Sequence, residues 1–321
     1  MVPGMVLGER HAVTVVIPTR DRLALLLETL RSVAQQDLAA RVVVVDDGST
    51  DGTAEALARH ELTVVRNAAG GWGSGRARNA GLQRVTTPFV AFLDSDDLLL
   101  PQALGTLLAA LDGEPEAPFA FGQALAAAHE PGGWAPQGLI APLAFEQRQI
   151  AAATFARNFV PSSGAMVRTD AARAVGGYDP ALVYSEDLDF WLRLTRLAAP
   201  VYVGRLVAVH RRHGGNRHIS ARAKSDDDTI TARAAGDPSL VTSVAARLGT
   251  QLCEESLDAL RSRRPAELVK AIGRLLIGRK DRRVIIVAAV RHFRRRRAAG
   301  AAGFRAWGSD PELRDWLATY Q

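Results

Sequence analysis

The sequence predicts an α/β fold in which a mainly parallel β-sheet is sandwiched by helices, and three observations support this prediction. Short apolar, β-branched runs alternate along the N-terminal third of the chain with segments whose apolar residues recur at helical spacing. Acidic side chains follow two of these runs directly. With 321 residues, 47% of them hydrophobic and 23% charged, the chain is long enough for about two domains and can bury a core.

The first strand and the first helix form one βα unit. Residues 13–18 are a short β-branched run, and Asp21 follows as the expected N-cap of a helix. The apolar residues after Asp21 recur every three or four positions, which is the spacing of a helix with one buried face. They are Leu23, Leu26, Leu27, Leu30 and Val33.

Three further strands are predicted in the same part of the chain. They cover residues 41–47, 62–66 and 89–93. Turn residues lead from the first of them into a short helix at 53–60, and a glycine-rich loop at 70–75 leads into a helix that runs through Val85. Pro101 opens the next helix at its first turn, where its missing N–H costs nothing.

The pattern changes twice further along the chain. Residues 113–161 are rich in Ala, Pro and Gly and show no clear period, and we expect them to line the second half of a cleft. Beyond residue 225 the pattern is helical alone. We therefore predict one domain over 1–224, with a first half at 1–112 and a second half at 113–224, and an all-helical C-terminal appendage over 225–321.

Polar side chains follow three of the predicted strands at the points where they end. Thr19 follows the first strand, Asp46 and Asp47 end the second, and Asp94 and Asp96 follow the fourth. Because ligands of open α/β sheets bind at the carboxyl ends of the strands, we expect these side chains to meet at one edge of the sheet.

The acidic loop after the fourth strand predicts a metal site. Asp94, Asp96 and Asp97 lie within four residues, and carboxylates this close raise one another's pKa unless a cation neutralises them. Oxygen ligands alone suit Mg²⁺ or Mn²⁺. Since Mg²⁺ keeps part of its coordination shell for substrate phosphates, such a site implies a diphosphate substrate. A turn with an N-cap is the alternative interpretation of this loop.

Several short motifs accompany the acidic loop. They are Val16-Ile17-Pro18-Thr19-Arg20-Asp21, Val45-Asp46-Asp47-Gly48-Ser49-Thr50-Asp51-Gly52-Thr53, Ala77-Arg78-Asn79-Ala80-Gly81, Phe92-Leu93-Asp94-Ser95-Asp96-Asp97, and Gly176-Gly177-Tyr178-Asp179 followed by Ser185-Glu186-Asp187-Leu188-Asp189-Phe190-Trp191. In this order and spacing the chain resembles the inverting GT-A glycosyltransferases of family 2. The resemblance covers about residues 13–220, roughly two thirds of the chain.

The resemblance implies a set of residues that bind a nucleotide-sugar donor. Pro18 and Thr19, with Arg20 beside them, match the end of the first strand, which contacts the nucleotide base. Asp47 matches the carboxylate that accepts from the base N3–H, which favours uracil and therefore UDP. Arg78 matches the basic residue that reaches the diphosphate. A turn with an N-cap for the following helix is the alternative role of Asp47.

The resemblance also implies metal ligands and a catalytic base. Asp94 and Asp96 match the DxD pair of the family, with Ser95 between them, and His213 matches a histidine that completes the site for Mg²⁺ or Mn²⁺. Asp187 matches the carboxylate that takes the proton from the acceptor hydroxyl.

Glu186 is the neighbour that can substitute for Asp187 as the base. Both acids lie at the predicted start of a helix over 188–198, so a purely structural role, complementing the helix dipole, is the alternative.

These implications define a reaction and leave two alternatives. The reaction is a metal-dependent, inverting transfer of a sugar from a UDP-sugar or similar donor to an acceptor hydroxyl, with a β-glycosidic product. The acceptor class stays open between a glycan, a lipid-linked molecule and a small molecule. The alternatives are a nucleotidyltransferase of similar α/β architecture and a degenerate, transferase-like module that binds a partner through basic helices.

The positive charge of the chain is confined to one segment. Residues 261–297 carry fourteen Lys and Arg and two acids, so the remaining chain is acidic although the net charge is +6. Such a segment is either a solvated helix face or a contact for an anionic membrane or acceptor, and a nucleic-acid partner is not expected.

Targeting features point to a cytoplasmic protein. No apolar run approaches the ~18 residues that span a bilayer, and residues 1–11 lack the apolar core of a secretory signal. The single cysteine, Cys253, excludes a disulfide framework and fits a reducing compartment. Peripheral contact with the inner face of the membrane through residues 261–297 is the alternative location.

Overall fold

A computed structural model of the chain describes residues 12–213 with short gaps, and eight positions beyond them. The gaps are 61, 131–132, 141–153, 155–157 and 159. The eight further positions are 226, 229–231, 233, 316, 319 and 320.

The described strands form one nine-stranded sheet. They are β1 (Val13–Thr19), β2 (Ala40–Asp46), β3 (Thr63–Arg66), β4 (Phe89–Phe92), β5 (Leu98–Leu99), β6 (Phe119–Glu130), β7 (Gly133–Ile140), β8 (Ala165–Arg168) and β9 (Val201–Arg212). Their order across the sheet is β3-β2-β1-β4-β8-β6-β9-β5, and β7 pairs with β6.

Six α-helices lie in the described part of the chain. They are α1 (Leu23–Ala34), α2 (Thr53–Leu57), α3 (Gly73–Leu82), α4 (Ala103–Gly113), α5 (Thr169–Ala174) and α6 (Glu186–Thr195). A single 3₁₀ turn at Ser162–Gly164 precedes β8. Four strands and their helices thus occur where the sequence predicts them, with bounds that differ by a few residues.

The sheet is buried on both faces. Val15 and Ile17 of β1 point into a core shared with α1 and α4, whereas Val16 between them points into a second core shared with α3 and α6. Alternation along a strand sends successive side chains to opposite faces, so a run that is apolar at every position requires helices on both sides. This confirms the predicted sandwich of helices around the sheet.

The strand directions divide the sheet into two halves. β3, β2, β1 and β4 are mutually parallel, as predicted. Beyond β4 the sheet is mixed, because β8 runs antiparallel to both β4 and β6, while β6 and β9 are parallel. The strand β6 lies inside the segment that showed no clear period, because half of its buried positions are alanine, a residue depleted in strands.

The starts of α1 and α2 share one carboxylate. Asp51 Oδ2 accepts from the Leu23 backbone N–H at 2.8 Å, and Asp51 Oδ1 accepts from the Thr53 N–H and hydroxyl at 3.2 and 2.6 Å. Asp21, the expected cap of α1, instead has a left-handed backbone with φ 50° and accepts from Thr50 N–H at 2.7 Å. The capping residue of α1 therefore comes from the next loop of the chain.

Replacing Asp51 by Ala is expected to lower the free energy of unfolding by about 1–2 kcal/mol, because one substitution removes hydrogen bonds at the first turns of two helices. Denaturant unfolding measures this. The matched control is Glu55→Ala, an exposed residue of α2, for which a change within about 0.5 kcal/mol is expected. Equal losses in the two variants would show that Asp51 does not stabilise the helix starts.

The described positions beyond residue 213 contact the sheet domain at two places. Asp226, Ile230 and Arg233 lie against α6 and the loop before it. Tyr320 is buried beside β5 and β9, and its hydroxyl donates to Gln35 Oε1, directly after α1, at 2.7 Å. The predicted appendage and its basic segment 261–297 otherwise lie outside the described residues, so the domain boundary near residue 224 stays a prediction.

Among the helices that the structure describes, none combines the length and the apolar character that crossing a membrane requires.

Candidate active site

A pocket of about 570 Å³ opens where β1, β2 and β4 end. Strand pairing brings these ends together, because Thr19 lies beside Asp46 and Val16 beside Phe92. Seven of the eight residues predicted to bind a nucleotide sugar line this pocket. They are Pro18, Thr19, Arg20, Asp47, Asp94, Ser95 and Asp96. A concave site of this size accommodates a small organic ligand.

Asp47 anchors the loop that leads into α3. Its Oδ1 accepts from Asn67 Nδ2 at 2.7 Å and from Trp72 N–H at 2.9 Å, and its Oδ2 accepts from Gly73 N–H at 3.0 Å. The predicted glycine-rich loop therefore ends earlier than expected, with Gly73 already in the helix. Since a carboxylate oxygen can accept two hydrogen bonds, Oδ2 retains capacity for one donor from a ligand.

Thr19 brings an unused polar group to the same part of the pocket. Its hydroxyl is buried and makes no hydrogen bond to any residue within the described ranges. A buried hydroxyl without a partner costs about 1–3 kcal/mol. Thr19 lines the pocket, so a bound ligand can supply the missing partner.

The acidic loop after β4 gathers three carboxylates. Oxygens of Asp94, Asp96 and Asp97 lie within 4.8 Å of one another. Burial raises the pKa of Asp96, and the negative charges of Asp97 and Asp94 raise it further. His213 Nε2 lies 3.1 Å from Asp96 Oδ2, so the structure brings this predicted ligand to the loop. Carboxylate oxygens with an imidazole and excess negative charge fit a divalent cation such as Mg²⁺ or Mn²⁺.

The three carboxylates differ in whether they line the pocket. Asp97 is almost fully buried and accepts from the Ser163 hydroxyl at 2.5 Å and from the Arg211 N–H at 3.1 Å. The Asp94 side chain is 32% exposed. Asp94 and Asp96 line the pocket and Asp97 does not, so the first two are the pair placed to contact a ligand.

Two cations at the pocket wall were not predicted from the sequence. Arg22 pairs with Asp96 through its Nη1, and His210 Nδ1 lies 3.2 Å from Asp97. The charge of Asp97 raises the pKa of His210 to about 9, so this imidazole is protonated at neutral pH. Arg22 lies two residues after the predicted Arg20, and His210 lies three residues before the predicted His213. This closeness to predicted site residues is the sequence signal that could have identified them.

Two buried side chains that the sequence analysis missed bind the backbone carbonyls of the acidic loop. The Thr29 hydroxyl of α1 contacts the carbonyl oxygens of Ser95 and Asp97 at 3.0 and 2.8 Å. Arg211 of β9 is fully buried, donates from Nε to the Asp96 carbonyl and stacks on Trp134. These contacts preorganise the backbone that carries the carboxylates.

Arg78 links the acidic loop to the start of α6. Its Nη2 donates to Asp94 Oδ1 at 2.5 Å and its Nη1 donates to Glu186 Oε1 at 2.9 Å. Arg78 is buried, and its guanidinium lies over the Tyr178 ring. The side chain predicted to reach a diphosphate thus lies behind the pocket wall and joins two carboxylates. Glu186 also accepts from the Ser74 hydroxyl, so its bonds to Arg78 and Ser74 join the start of α6 to α3.

Asp187 occupies the first turn of α6 next to Glu186. Its Oδ1 accepts from the Leu188 N–H at 2.7 Å and its Oδ2 accepts from Asn158 Nδ2 at 2.8 Å. Burial and the neighbouring charge of Glu186 raise the pKa of Asp187 to about 6. A carboxylate with a pKa close to neutrality suits a general base. Asp187 does not line the pocket itself and is connected to it through Glu186, Arg78 and Asp94.

Comparisons with known proteins identify relatives of this chain. The family model described as "Glycosyl transferase family 2" matches residues 14–176 of this chain. The validoxylamine A glucosyltransferase of Streptomyces hygroscopicus subsp. jinggangensis is 39% identical over 116 residues, which are 34% of this chain and 28% of that protein. The pre-mycofactocin glycosyltransferase of Mycobacterium tuberculosis is 32% identical over 203 residues, or 60% of this chain and 41% of that protein. The matches therefore span 28% and 41% of the length of these two relatives.

Two solved structures share the fold. S. aureus TarS 1–349 in complex with UDP-GlcNAc superposes with a TM-score of 0.62 at 18% identity, covering 92% of each chain. The mannosyltransferase PcManGT from Pyrobaculum calidifontis in complex with GDP-Man and Mn²⁺ superposes with a TM-score of 0.54 at 19% identity, covering 94% of this chain and 89% of that one. The predicted GT-A type of α/β fold is confirmed.

Proposed function

This chain belongs to glycosyl transferase family 2, and from this premise we propose that it transfers a sugar from a nucleotide-diphosphate sugar to an acceptor hydroxyl. The observation that carries the proposal is the gathering of seven predicted donor-binding residues around one pocket whose edge is the acidic loop. Family membership favours this activity over the nucleotidyltransferase alternative. The presence of Asp47, Asp94, Asp96 and Asp187 favours it over a degenerate binding module.

The donor is proposed to be a UDP-sugar. Uracil presents an N–H donor, for which Asp47 Oδ2 retains an acceptor position, and polar atoms around its ring can satisfy the buried Thr19 hydroxyl. Guanine also has a ring N–H, so a GDP-sugar is the competing donor. Arg20 and Arg22 also line the pocket, and their positive charge suits a diphosphate.

A divalent cation, Mg²⁺ or Mn²⁺, is proposed to be held by Asp94, Asp96 and His213. When bound, it would neutralise the charge that develops on the leaving diphosphate. Arg22 now pairs with Asp96 and must share that carboxylate with the cation or leave it. His210, whose pKa is raised by the charge of Asp97, lines the same wall.

Asp187 is proposed to accept the proton of the attacking hydroxyl. Deprotonation by a carboxylate, without a covalent sugar–enzyme intermediate, gives a single displacement and inverts the anomeric carbon, so an α-linked donor yields a β-linked product. Asn158 orients the carboxylate from one side, and Glu186 is bonded to Arg78, which leaves Asp187 as the base.

The acceptor is proposed to be a glycan, a lipid-linked molecule or a small molecule. Contact of residues 261–297 with an anionic membrane remains a proposal about residues outside the described part.

A thermal-shift panel tests the donor and the cation together. UDP, GDP, ADP, CDP and their sugars are added with and without Mn²⁺ or Mg²⁺. We expect the largest stabilisation from UDP or a UDP-sugar with the cation, since a ligand at ~100 times its Kd adds about 2.7 kcal/mol to the free energy of unfolding. Asp96→Asn should lose the cation-dependent part, whereas the exposed control Asp112→Asn should keep it. A parent protein stabilised by none of these ligands would refute the proposed function.

A further inference from the structure

A short segment beyond the sheet domain is seated on the loop that leads into α6. Its described residues, at 226, 229–231 and 233, are helical. Asp226, Ile230 and Arg233 are spaced four and three residues apart, so they lie on one face of that helix. All three contact the loop at 179–185 or the helix α6 that follows it.

Asp226 holds the middle of the loop. Its carboxylate is buried, and Oδ2 accepts from the backbone N–H groups of Val183 and Tyr184 at 2.7 and 2.9 Å. Hydrogen bonds to an ionised acceptor are stronger than neutral ones. The two N–H groups lie three and four residues before Asp187, so the carboxylate fixes the path of the chain directly ahead of the proposed base.

Ile230 and Arg233 fix the two sides of the same loop. Ile230 is buried against Leu182 of the loop and against Leu188 and Leu192 of α6. Arg233 donates from Nη2 to Asp179 Oδ2 at 2.8 Å and from Nη1 to Asp189 Oδ1 at 2.9 Å. One guanidinium thereby joins the first residue of the loop to the first turn of α6.

We propose that Asp226, Ile230 and Arg233 are positioning residues that set the orientation of the Asp187 carboxylate. This inference rests on the proposed function, in which Asp187 is the general base. The start and the middle of the loop before Asp187 and the first turn of α6 after it are each bonded to Arg233 or Asp226, and Asn158 contacts the Asp187 carboxylate itself. Because proton transfer requires the base within hydrogen-bond distance of the acceptor hydroxyl, a small displacement of α6 lowers turnover without weakening donor binding.

The test is a double-mutant cycle in the full chain, with the UDP-sugar that stabilises the parent most as donor. Asp226→Ala, its conservative form Asp226→Asn, and Arg233→Met are each made in the parent and in Asp187→Asn. In the parent we expect kcat to fall about 10- to 100-fold for Asp226→Ala with an unchanged donor KM. In Asp187→Asn the same change should leave the residual rate within about twofold, because groups that act as a unit are not additive.

Controls separate positioning from loss of folding. The Arg233 side chain is 46% exposed, so Arg233→Met is expected to fold, and Arg233→Lys should restore part of the rate. Arg84→Met and Asp112→Asn, both exposed and away from the loop, should not change kcat. An equal loss of rate in the parent and in Asp187→Asn, or a loss confined to donor KM, would overturn the proposal.

A measurement that needs no turnover keeps the proposal distinct from the proposed function. The Asp187 carboxyl is titrated by NMR in the parent and in Asp226→Ala. We expect the midpoint, about 6 in the parent, to fall as the released loop admits water to the carboxylate. A parent that turns over no nucleotide sugar would refute the function, whereas an unchanged midpoint in Asp226→Ala would refute the positioning role.

Discussion

Replacing Asp187 by Asn is expected to lower kcat by about 10³-fold while donor binding is retained, because a general base contributes on the order of 10²–10⁴ to rate. Asn has the shape of Asp and keeps an oxygen acceptor for the Leu188 N–H, but it cannot take a proton. Turnover of the donor and the thermal shift produced by UDP with the cation are measured on the same preparation. A variant with near-parental turnover would move the role of base to Glu186.

The pKa of Asp187 also predicts how the rate depends on pH. Since the base must be deprotonated and its pKa is raised to about 6, kcat/KM should fall about tenfold per pH unit below that value and level off above it. Burial favours the protonated carboxyl in the folded protein. Its contribution to stability is therefore present at low pH and is lost as the pH rises through about 6.

That stability argument supplies a control for Asp187→Asn. The amide mimics the protonated carboxyl, so at pH 7 to 8 the variant should unfold at a temperature no lower than the parent protein does. A large loss of stability would mean that a fall in rate reports on folding rather than on proton transfer.

Replacing Arg78 by Met is expected to lower the free energy of unfolding by about 3–5 kcal/mol, because it leaves the buried Glu186 carboxylate without this cation. Asp94 loses its contact with the same guanidinium, so the acidic loop should also bind the donor less tightly. Denaturant unfolding measures the first effect and the UDP thermal shift the second.

The Arg78 prediction has an internal control. In the double variant with Arg78→Met and Glu186→Gln, the uncompensated charge of Glu186 is removed, so much of the stability should return. Arg84→Met, at an exposed position after α3, should be neutral. If the double variant is as unstable as Arg78→Met alone, the loss does not arise from the uncompensated Glu186 charge.

Much of the site could be located from the sequence because its parts lie at the ends of locally recognisable elements. The apolar runs of β1, β2 and β4 predict buried parallel strands, and the polar residues that end them must then share one edge. The motif resemblance placed His213 at the acidic loop, and the structure brings it to Asp96. No comparable pattern marked β6, since its alanines lack the β-branched signature of a strand.

Local pattern by itself therefore determined the order of the elements from β1 to α4 except for the two-residue strand β5, the two-faced burial of their part of the sheet and the edge at which the acids gather, because strand and helix periods are properties of neighbouring residues. Only the tertiary structure decided which partner each charge takes. Asp47 holds the start of α3, Arg78 joins Asp94 to Glu186, and Asp226 fastens the loop before Asp187. These partners are 26, 108 and 43 residues apart in the chain, and a side chain's choice among several oppositely charged groups depends on distance and burial, which no local spacing encodes.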